Sequence, residues 1–118
     1  MLNAQPDPLE PLSEVLDRWD AIAFRWELDA EDRSALLGGF GDGPVGSVAT
    51  YEASNGERRM RLLVALDPVL VRVLGTDDRI RGWLRSGNRS LGGRKPIVVM
   101  ASSPAWIRWL IDSMGLTA

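Results

Sequence analysis

The sequence contains no cysteine and no histidine among its 118 residues. The lack of cysteine excludes disulfide bonds and thiolate chemistry, and it suits a reducing compartment. The lack of histidine removes the commonest general base, the commonest metal ligand and the usual partner of a nucleophilic serine. Catalysis would have to rest on carboxylates, arginines and a single lysine. We therefore predict no catalytic residues, no metal site, no cofactor and no enzymatic activity.

No apolar run in the chain approaches the roughly 20 residues that a membrane-spanning helix needs. The N-terminal stretch MLNAQPDPLEP has neither the cationic nor the apolar region of a secretory signal. These absences predict a cytoplasmic protein without membrane contact. A chain of 118 residues can bury a core in one domain, or in two small parts that share one.

Charge is distributed unevenly along the chain, although the formal net charge is only −2. Residues 1–57 carry 12 acids and 3 arginines, whereas residues 58–118 carry 11 basic residues and 4 acids. A basic face formed by the second half would attract an anionic partner. Alternatively, the acidic first half folds back onto the basic second half within one domain. The sequence leaves both interpretations open.

Two amphipathic helices are predicted in the first part of the chain. The first starts with Pro11 in its opening turn and runs to Trp26, because apolar residues recur at three- and four-residue steps. The second is short, with Asp29 as its N-cap and Gly38-Gly39 as its end. The apolar positions of the first helix are Leu12, Val15, Leu16, Trp19, Ile22, Ala23 and Trp26.

Turn signals divide the middle of the chain into three predicted helices, over Val45–Tyr51, Glu57–Leu66 and Val69–Leu74. Asn55-Gly56 separates the first two. Asp67-Pro68 resembles an N-cap followed by proline at the first helical position, so Val69–Leu74 continues in a new or a kinked helix. The central helix carries three arginines, of which at most two can share its solvent face: Arg58, Arg59 and Arg61.

Three more helices are predicted in the C-terminal part of the chain. The predicted fold class is therefore all-α, in a small multi-helix domain. Thr76 caps the first of these, and Pro96 opens the second, since its apolar run has no partner strand elsewhere. Ser103-Pro104 opens the last helix and Gly115 ends it, which leaves a short free tail. This tail consists of Leu116, Thr117 and Ala118.

Trp109 lies off the apolar stripe of the last helix, roughly 60° beyond Trp106 on the helical wheel. The stripe itself is the expected core face and comprises Trp106, Ile107, Leu110, Ile111 and Met114. A tryptophan at the rim of such a stripe is either a partly buried core residue or an interface anchor, since tryptophan is enriched among binding hot spots.

The segment from Arg79 to Lys95, which includes the loop before Pro96, is strongly basic. Six basic residues lie between Arg79 and Lys95 without an intervening acid. Their mutual repulsion is best tolerated if a partner relieves it, so this loop is a candidate binding surface. Within it we predict that Arg85, Arg89, Arg94 and Lys95 serve association, while Gly92 and Gly93 shape the turn.

The first half of the chain has the outline of a helix-turn-helix, with a candidate recognition helix near Pro44–Tyr51. That helix lacks the cations and amides that read base edges, and the acidic balance around it repels phosphates. We therefore predict weak or absent DNA binding by the chain alone. Gly41, Gly43 and Gly46 have the spacing of a dinucleotide-binding fingerprint, but no strand precedes or follows them, which favours a simple turn.

The C-terminal half resembles the toxin-binding domain of the MbcA/ParS/Xre antitoxin family over roughly residues 66–118. The family motif is a tryptophan-leucine pair, an asparagine, a leucine-glycine-glycine turn and a proline followed by an apolar residue. The matching residues are Trp83, Leu84, Asn88, Leu91, Gly92, Gly93, Pro96 and Ile97. Residues 1–65 resemble the family's helix-turn-helix region, through Trp19 or Trp26 and Leu36-Leu37-Gly38. The family's tryptophan-arginine pair in the recognition helix has no counterpart around Tyr51.

The resemblance implies an antitoxin whose partner is a RES-domain toxin, an enzyme that degrades NAD or transfers ADP-ribose to a protein. It implies inhibition by covering the toxin's NAD cleft with the C-terminal domain. The predicted toxin-binding residues are Arg85, Asn88, Arg89, Arg94, Lys95, Trp109, Leu116, Thr117 and Ala118. The alternative is a DNA-binding repressor of its own operon. Whether the chain forms a homodimer is left open.

Overall fold

The structure, a computed structural model, describes residues 11–38 and 47–117. This part of the chain is all-α, as predicted, with six α-helices and one short 3₁₀ turn. The helices are α1 (Leu12–Arg25), α2 (Ala30–Leu36), α3 (Ser47–Leu74), α4 (Asp77–Leu84), α5 (Pro96–Ser102) and α6 (Pro104–Thr117), and the 3₁₀ turn is Arg89–Leu91.

Local capping explains where α2 and α4 begin. The Asp29 carboxylate accepts a hydrogen bond from the Asp32 amide at 2.8 Å, and the Asp32 carboxylate accepts one from the Asp29 amide, which together form a capping box. The Thr76 hydroxyl accepts from the Arg79 amide at 3.2 Å. Both predicted N-caps are confirmed. Pro11, predicted inside the first turn of α1, instead occupies its N-cap position.

The helix α3 lies at the centre of the fold and packs against α1, α4 and α6. The core is built from its buried side chains together with those of the surrounding helices. In α1, the predicted apolar stripe is buried except at Leu12 and Leu16, which are exposed. The largest fully buried side chains of the core include Trp19, Trp26, Leu36, Leu63, Leu66, Leu70, Ile80, Leu84 and Ile107.

The break predicted at Asn55-Gly56 is wrong, and so is the alternative in which a new helix starts after Asp67-Pro68, because α3 is continuous from Ser47 to Leu74. It passes through Gly56 and Pro68, which cost about 1 and about 3 kcal/mol in a helix interior. The fully buried leucines of α3 contribute roughly 1.5–3 kcal/mol each, which outweighs these costs. The predicted division between residues 65 and 66 lies inside α3, and the assignment of two regions stays a prediction.

The sequence predicted that Asp67 caps a helix. In the structure Asp67 lies inside α3 and joins it to α1. Its carboxylate accepts hydrogen bonds from both terminal nitrogens of Arg25, each at 3.0 Å. Asp77, in the first turn of α4, accepts from the same guanidinium at 3.1 and 3.2 Å. The hydrogen bonds to Asp67 raise the pKa of Arg25 above its ordinary value. One arginine therefore ties together three helices.

Arg59 is buried, unlike its neighbours in the arginine cluster of α3. Its Nη1 donates a hydrogen bond to the carbonyl of Ala101 at 3.1 Å, near the end of α5. Burial lowers the pKa of Arg59, and its Nε has no hydrogen-bond partner within the described residues. This bond holds α3 against the corner where α5 meets α6.

The last helix extends further than predicted. Gly115 does not end α6, because the helix continues to Thr117 and Gly115 does not adopt a left-handed conformation. Leu116 and Thr117 therefore form helical backbone and not a free tail, while Ala118 lies outside the described residues. Residues 39–46, where the glycine spacing favoured a simple turn over a dinucleotide-binding fingerprint, also lie outside the described residues, as do the side chains of residues 47–55. No helix in the described ranges is both long enough and apolar enough to cross a membrane.

Candidate protein-binding site

The loop between α4 and α5 is organised by Asn88. Its carbonyl accepts hydrogen bonds from the amides of Leu91 and Gly93, both at 2.9 Å, and its side chain accepts from the Ser90 amide at 2.8 Å. Its own amide donates to the Arg94 carbonyl at 3.0 Å. Asn88, predicted to touch a partner, therefore also fixes the shape of the loop.

The predicted turn glycines have the conformation that the turn requires. Gly92 and Gly93 have φ angles of 70° and 84°, in the left-handed region that favours glycine. Between them and Asn88, Leu91 is buried in the core side of the loop. Gly87 plays a role that the sequence did not reveal, because a Cβ there would lie 2.7 Å from the Gly93 carbonyl oxygen. A glycine followed by asparagine commonly ends a helix, and this was the available sequence signal at Gly87.

Two arginines of the basic segment contact the first half of the chain: Arg81, in the last turn of α4, and Arg85, directly after α4. The Arg85 guanidinium donates to the Asp32 carboxylate at 2.7 Å. Arg81 donates to the Arg25 carbonyl at 2.8 Å and pairs with Glu27 at 3.6 Å. The interpretation in which the acidic half folds back onto the basic half is therefore correct for these two arginines. The role predicted for Arg85 in association stays a prediction.

The Arg85 contact changes the titration of Asp32. Burial of Asp32 raises its pKa, but the hydrogen bond and positive charge of Arg85 and the hydrogen bond from the Asp29 amide lower it by more. The net result is a pKa below the ordinary value of an aspartate. The Asp32 carboxylate is therefore charged when it meets Arg85 near neutral pH.

The remaining cations of the loop form no ion pair with the first half of the chain within the described residues. Arg89 and Lys95 are exposed, and neither has an ion-pair partner among the described residues. Arg94 is exposed but held in place: its Nε donates to the Leu91 carbonyl at 2.9 Å, and its guanidinium carbon lies 5.3 Å from the ring centre of Trp106. Such a cation–π contact orients the arginine without neutralising it.

Trp109 lies beside this group, on the surface, as the helical wheel indicated. It is 43% exposed and meets Trp106 edge to face, with ring centroids 5.6 Å apart. The two rings line a shallow hollow of about 330 Å³, together with Ser90, Ser103 and Ala105. Trp106 was assigned to the core stripe and its place in this hollow was missed. The three-residue spacing of the two tryptophans, close in sequence to the basic loop, was the available signal.

Two other motif residues lie in the helices that flank the basic loop. Pro96 opens α5, as predicted, and is buried. Trp83, at the end of α4, is partly buried and packs against the core. The structure therefore places Arg94 against Trp106 of the hollow and Arg89 next to the lining residue Ser90, whereas Trp83 and Pro96 lie in the helices on either side of the loop. The helical residues Leu116 and Thr117 lie about 10–12 Å along α6 beyond Trp109.

An exposed aromatic hollow with an arginine packed on one of its rings is typical of a surface that binds another protein. Residues 69–110 match the family of the antitoxin Xre/MbcA/ParS C-terminal toxin-binding domain. The match runs from the C-terminal end of α3 to Leu110 in α6 and includes the whole basic loop and both tryptophans of the hollow. The resemblance inferred from the motif is confirmed over these residues. Comparison with the curated proteins and with the solved structures gave no match.

Proposed function

We propose that this chain is an antitoxin that binds a RES-domain toxin and neutralises it by covering its NAD cleft, without catalysis of its own. The observation that carries the proposal is that the toxin-binding family match contains both the cationic loop and the exposed tryptophan hollow. The proposal is the same whether the toxin degrades NAD or transfers ADP-ribose. Either reaction requires an open NAD cleft.

The partner surface is formed by the hollow and the cations nearest to it. Trp109 supplies an exposed aromatic anchor, and Arg94 is pre-oriented by Trp106 and the Leu91 carbonyl. Arg89 and Lys95 have no partner in the described chain, so pairing with toxin carboxylates breaks no existing ion pair. Such rim charges act mainly on the rate of encounter. Arg85 contributes less, because its charge is already shared with Asp32.

The end of α6 is the proposed blocking element. Because α6 continues to Thr117, the residues beyond Trp109 extend the binding surface as helix. We propose that Leu116, Thr117 and Ala118 enter the cleft and obstruct the place where NAD binds. Deletion of these three residues is expected to restore toxin activity while the antitoxin remains folded.

The proposal is tested by co-expressing the chain with the product of the neighbouring open reading frame, identified by a RES sequence. We expect a complex that survives gel filtration and a toxin that no longer consumes NAD. Separate elution of the two proteins while growth rescue persists would contradict inhibition by stable association. Full inhibition by the chain that ends at Gly115 would move the blocking element to the basic loop.

The loop is tested by reversing two charges, with Arg89→Glu and Lys95→Glu combined. Association with the toxin should slow and lose part of its salt dependence, because the rim cations no longer steer the encounter. The melting temperature should barely change, since neither side chain forms an ion pair within the described chain. Unchanged association kinetics across a salt series would remove these residues from the interface.

A further inference from the structure

A second hollow lies between α3 and the first turn of α6. It is open to solvent, has a volume of about 710 Å³, and is larger than the tryptophan hollow. Its walls are basic, because three arginines reach it from two helices: Arg58, Arg61 and Arg108. Neither the toxin-binding motif nor the proposed contact surface includes these arginines. We call this site the arginine groove.

The charge of the arginine groove is not balanced by its own lining. Glu57 is the acid that lines it, and this carboxylate accepts a hydrogen bond from Arg61 Nε at 2.9 Å. Arg108 pairs with Asp112 through Nε at 3.4 Å, and both side chains are mostly exposed. Arg58 is exposed, with no ion-pair partner in the described chain. Arg58 therefore lines the groove without an ion pair within the described residues, whereas Arg61 and Arg108 each have a carboxylate partner.

The remaining walls of the groove are apolar. Leu62 from α3 and Pro104 and Ala105 from α6 complete its lining. A site with cations on some walls and apolar surface on others fits a ligand that has both an anionic and a planar or apolar part. The volume lies in the range of roughly 300–1,000 Å³ that is typical of small-molecule sites.

We infer that the arginine groove binds a phosphate-bearing small molecule of the nucleotide class, with Arg58 and Arg108 contacting the phosphates. A guanidinium presents its donors in a planar fork that matches phosphate oxygens in pairs. The apolar wall formed by Leu62, Pro104 and Ala105 would contact the base or the sugar. This inference does not depend on the identity of the toxin, because neither Arg58 nor Arg108 belongs to the proposed contact surface.

The groove and the tryptophan hollow are neighbours on α6. Ala105 lines both of them, and Arg108 and Trp109 are consecutive residues that diverge by about 100° around the helix axis. A substitution at Arg108 can therefore be made without removing an aromatic wall of the hollow. This separation allows the two sites to be tested independently.

The test is calorimetric titration of the full chain with ATP and with inorganic pyrophosphate at physiological salt. We expect saturable binding of ATP to the unmodified chain, and at least tenfold weaker binding to Arg58→Gln/Arg108→Gln. The matched control is Arg72→Gln/Arg79→Gln, which removes the same charge at exposed positions outside the groove. The control should bind within twofold of the unmodified chain. No saturable binding, or equal losses in both double variants, would overturn the inference.

A second arm distinguishes a free nucleotide from the backbone of a nucleic acid. Short duplex DNA is titrated into the same three proteins over a salt series. Binding of ATP that requires Arg58 and Arg108, with DNA binding that does not, supports the nucleotide site. If DNA and not ATP requires these two arginines, the small-molecule assignment is wrong. Circular dichroism of each variant verifies that the helices are retained.

Discussion

Replacement of Arg25 by glutamine is expected to lower the free energy of unfolding by about 2–3 kcal/mol. Arg25 donates hydrogen bonds to Asp67 and Asp77 and thereby connects the end of α1 to α3 and α4. The Asp67 side chain is only 14% exposed, so glutamine would leave a largely buried carboxylate without its cation. Removing one partner of a fully buried pair costs about 3–5 kcal/mol, whereas exposed pairs contribute about 0–1 kcal/mol. Arg25, at 30% exposed, falls between these limits.

The change is measured by urea unfolding followed by circular dichroism, and by thermal unfolding. A loss of this size should lower the melting temperature by roughly 8–12 °C in a domain of this length. The matched control is Arg33→Gln, because Arg33 pairs with Asp20 at a more exposed site and should contribute less than about 1 kcal/mol. Equal losses in the two variants, or a loss below about 1 kcal/mol for Arg25→Gln, would refute the assignment of Arg25 as the link between the helices.

Three further predictions follow from the binding surface and its support. The folded pKa of Asp32 is depressed, so its contribution to stability is present above the unfolded value of about 3.9 and is lost as pH falls through the folded pKa. Arg85→Gln should therefore reduce the acid sensitivity of unfolding, measured from about pH 5 to about pH 2. Gly87→Ala should lower the free energy of unfolding by about 1–3 kcal/mol, since its Cβ would overlap the Gly93 carbonyl, as urea unfolding would report. Trp109→Ala should weaken toxin binding by about 2 kcal/mol in calorimetry while the chain stays folded.

The substitutions of Gly87 and Trp109 each have a control within the chain. Gly82→Ala, in an exposed turn of α4 where a Cβ meets no atom within 4 Å, should be neutral or stabilising, in contrast to Gly87→Ala. Phe24→Ala removes an aromatic that is 84% exposed on α1, outside the family match, and should leave toxin binding unchanged. Equal effects of Phe24→Ala and Trp109→Ala on affinity would mean that Trp109 is not an anchor. If Arg85→Gln left the loss of stability at low pH unchanged, the ion pair would not be what depresses the pKa of Asp32.

Local signals predicted the parts of the fold that depend on neighbouring residues. Asp29 and Thr76 marked the starts of α2 and α4, because a cap bonds to an amide three residues away. The continuity of α3 could not be predicted in the same way. Gly56 and Pro68 carry local signals for breaks, and the burial that overrides them depends on helices elsewhere in the chain.

The candidate site shows the same division. Helical periodicity was enough to place Trp109 outside the core stripe, since a wheel needs only the spacing of one helix. The pairing of Arg85 with Asp32 joins residues 53 positions apart, and charge counting alone left two arrangements open. The burial of Arg59 was also hidden, because it depends on the Ala101 carbonyl at the end of α5.

The unbroken course of α3 determines how this protein can be divided. The family match begins at residue 69, yet the helix that carries this residue starts at Ser47. A fragment that began at residue 66 would lose Arg59, the support of the α5–α6 corner, and would leave Ile107 and Leu110 without much of the opposing helix. A fragment that keeps the core of the matched segment would therefore have to include α3 as a whole. The unit that folds is longer than the segment that the family match covers.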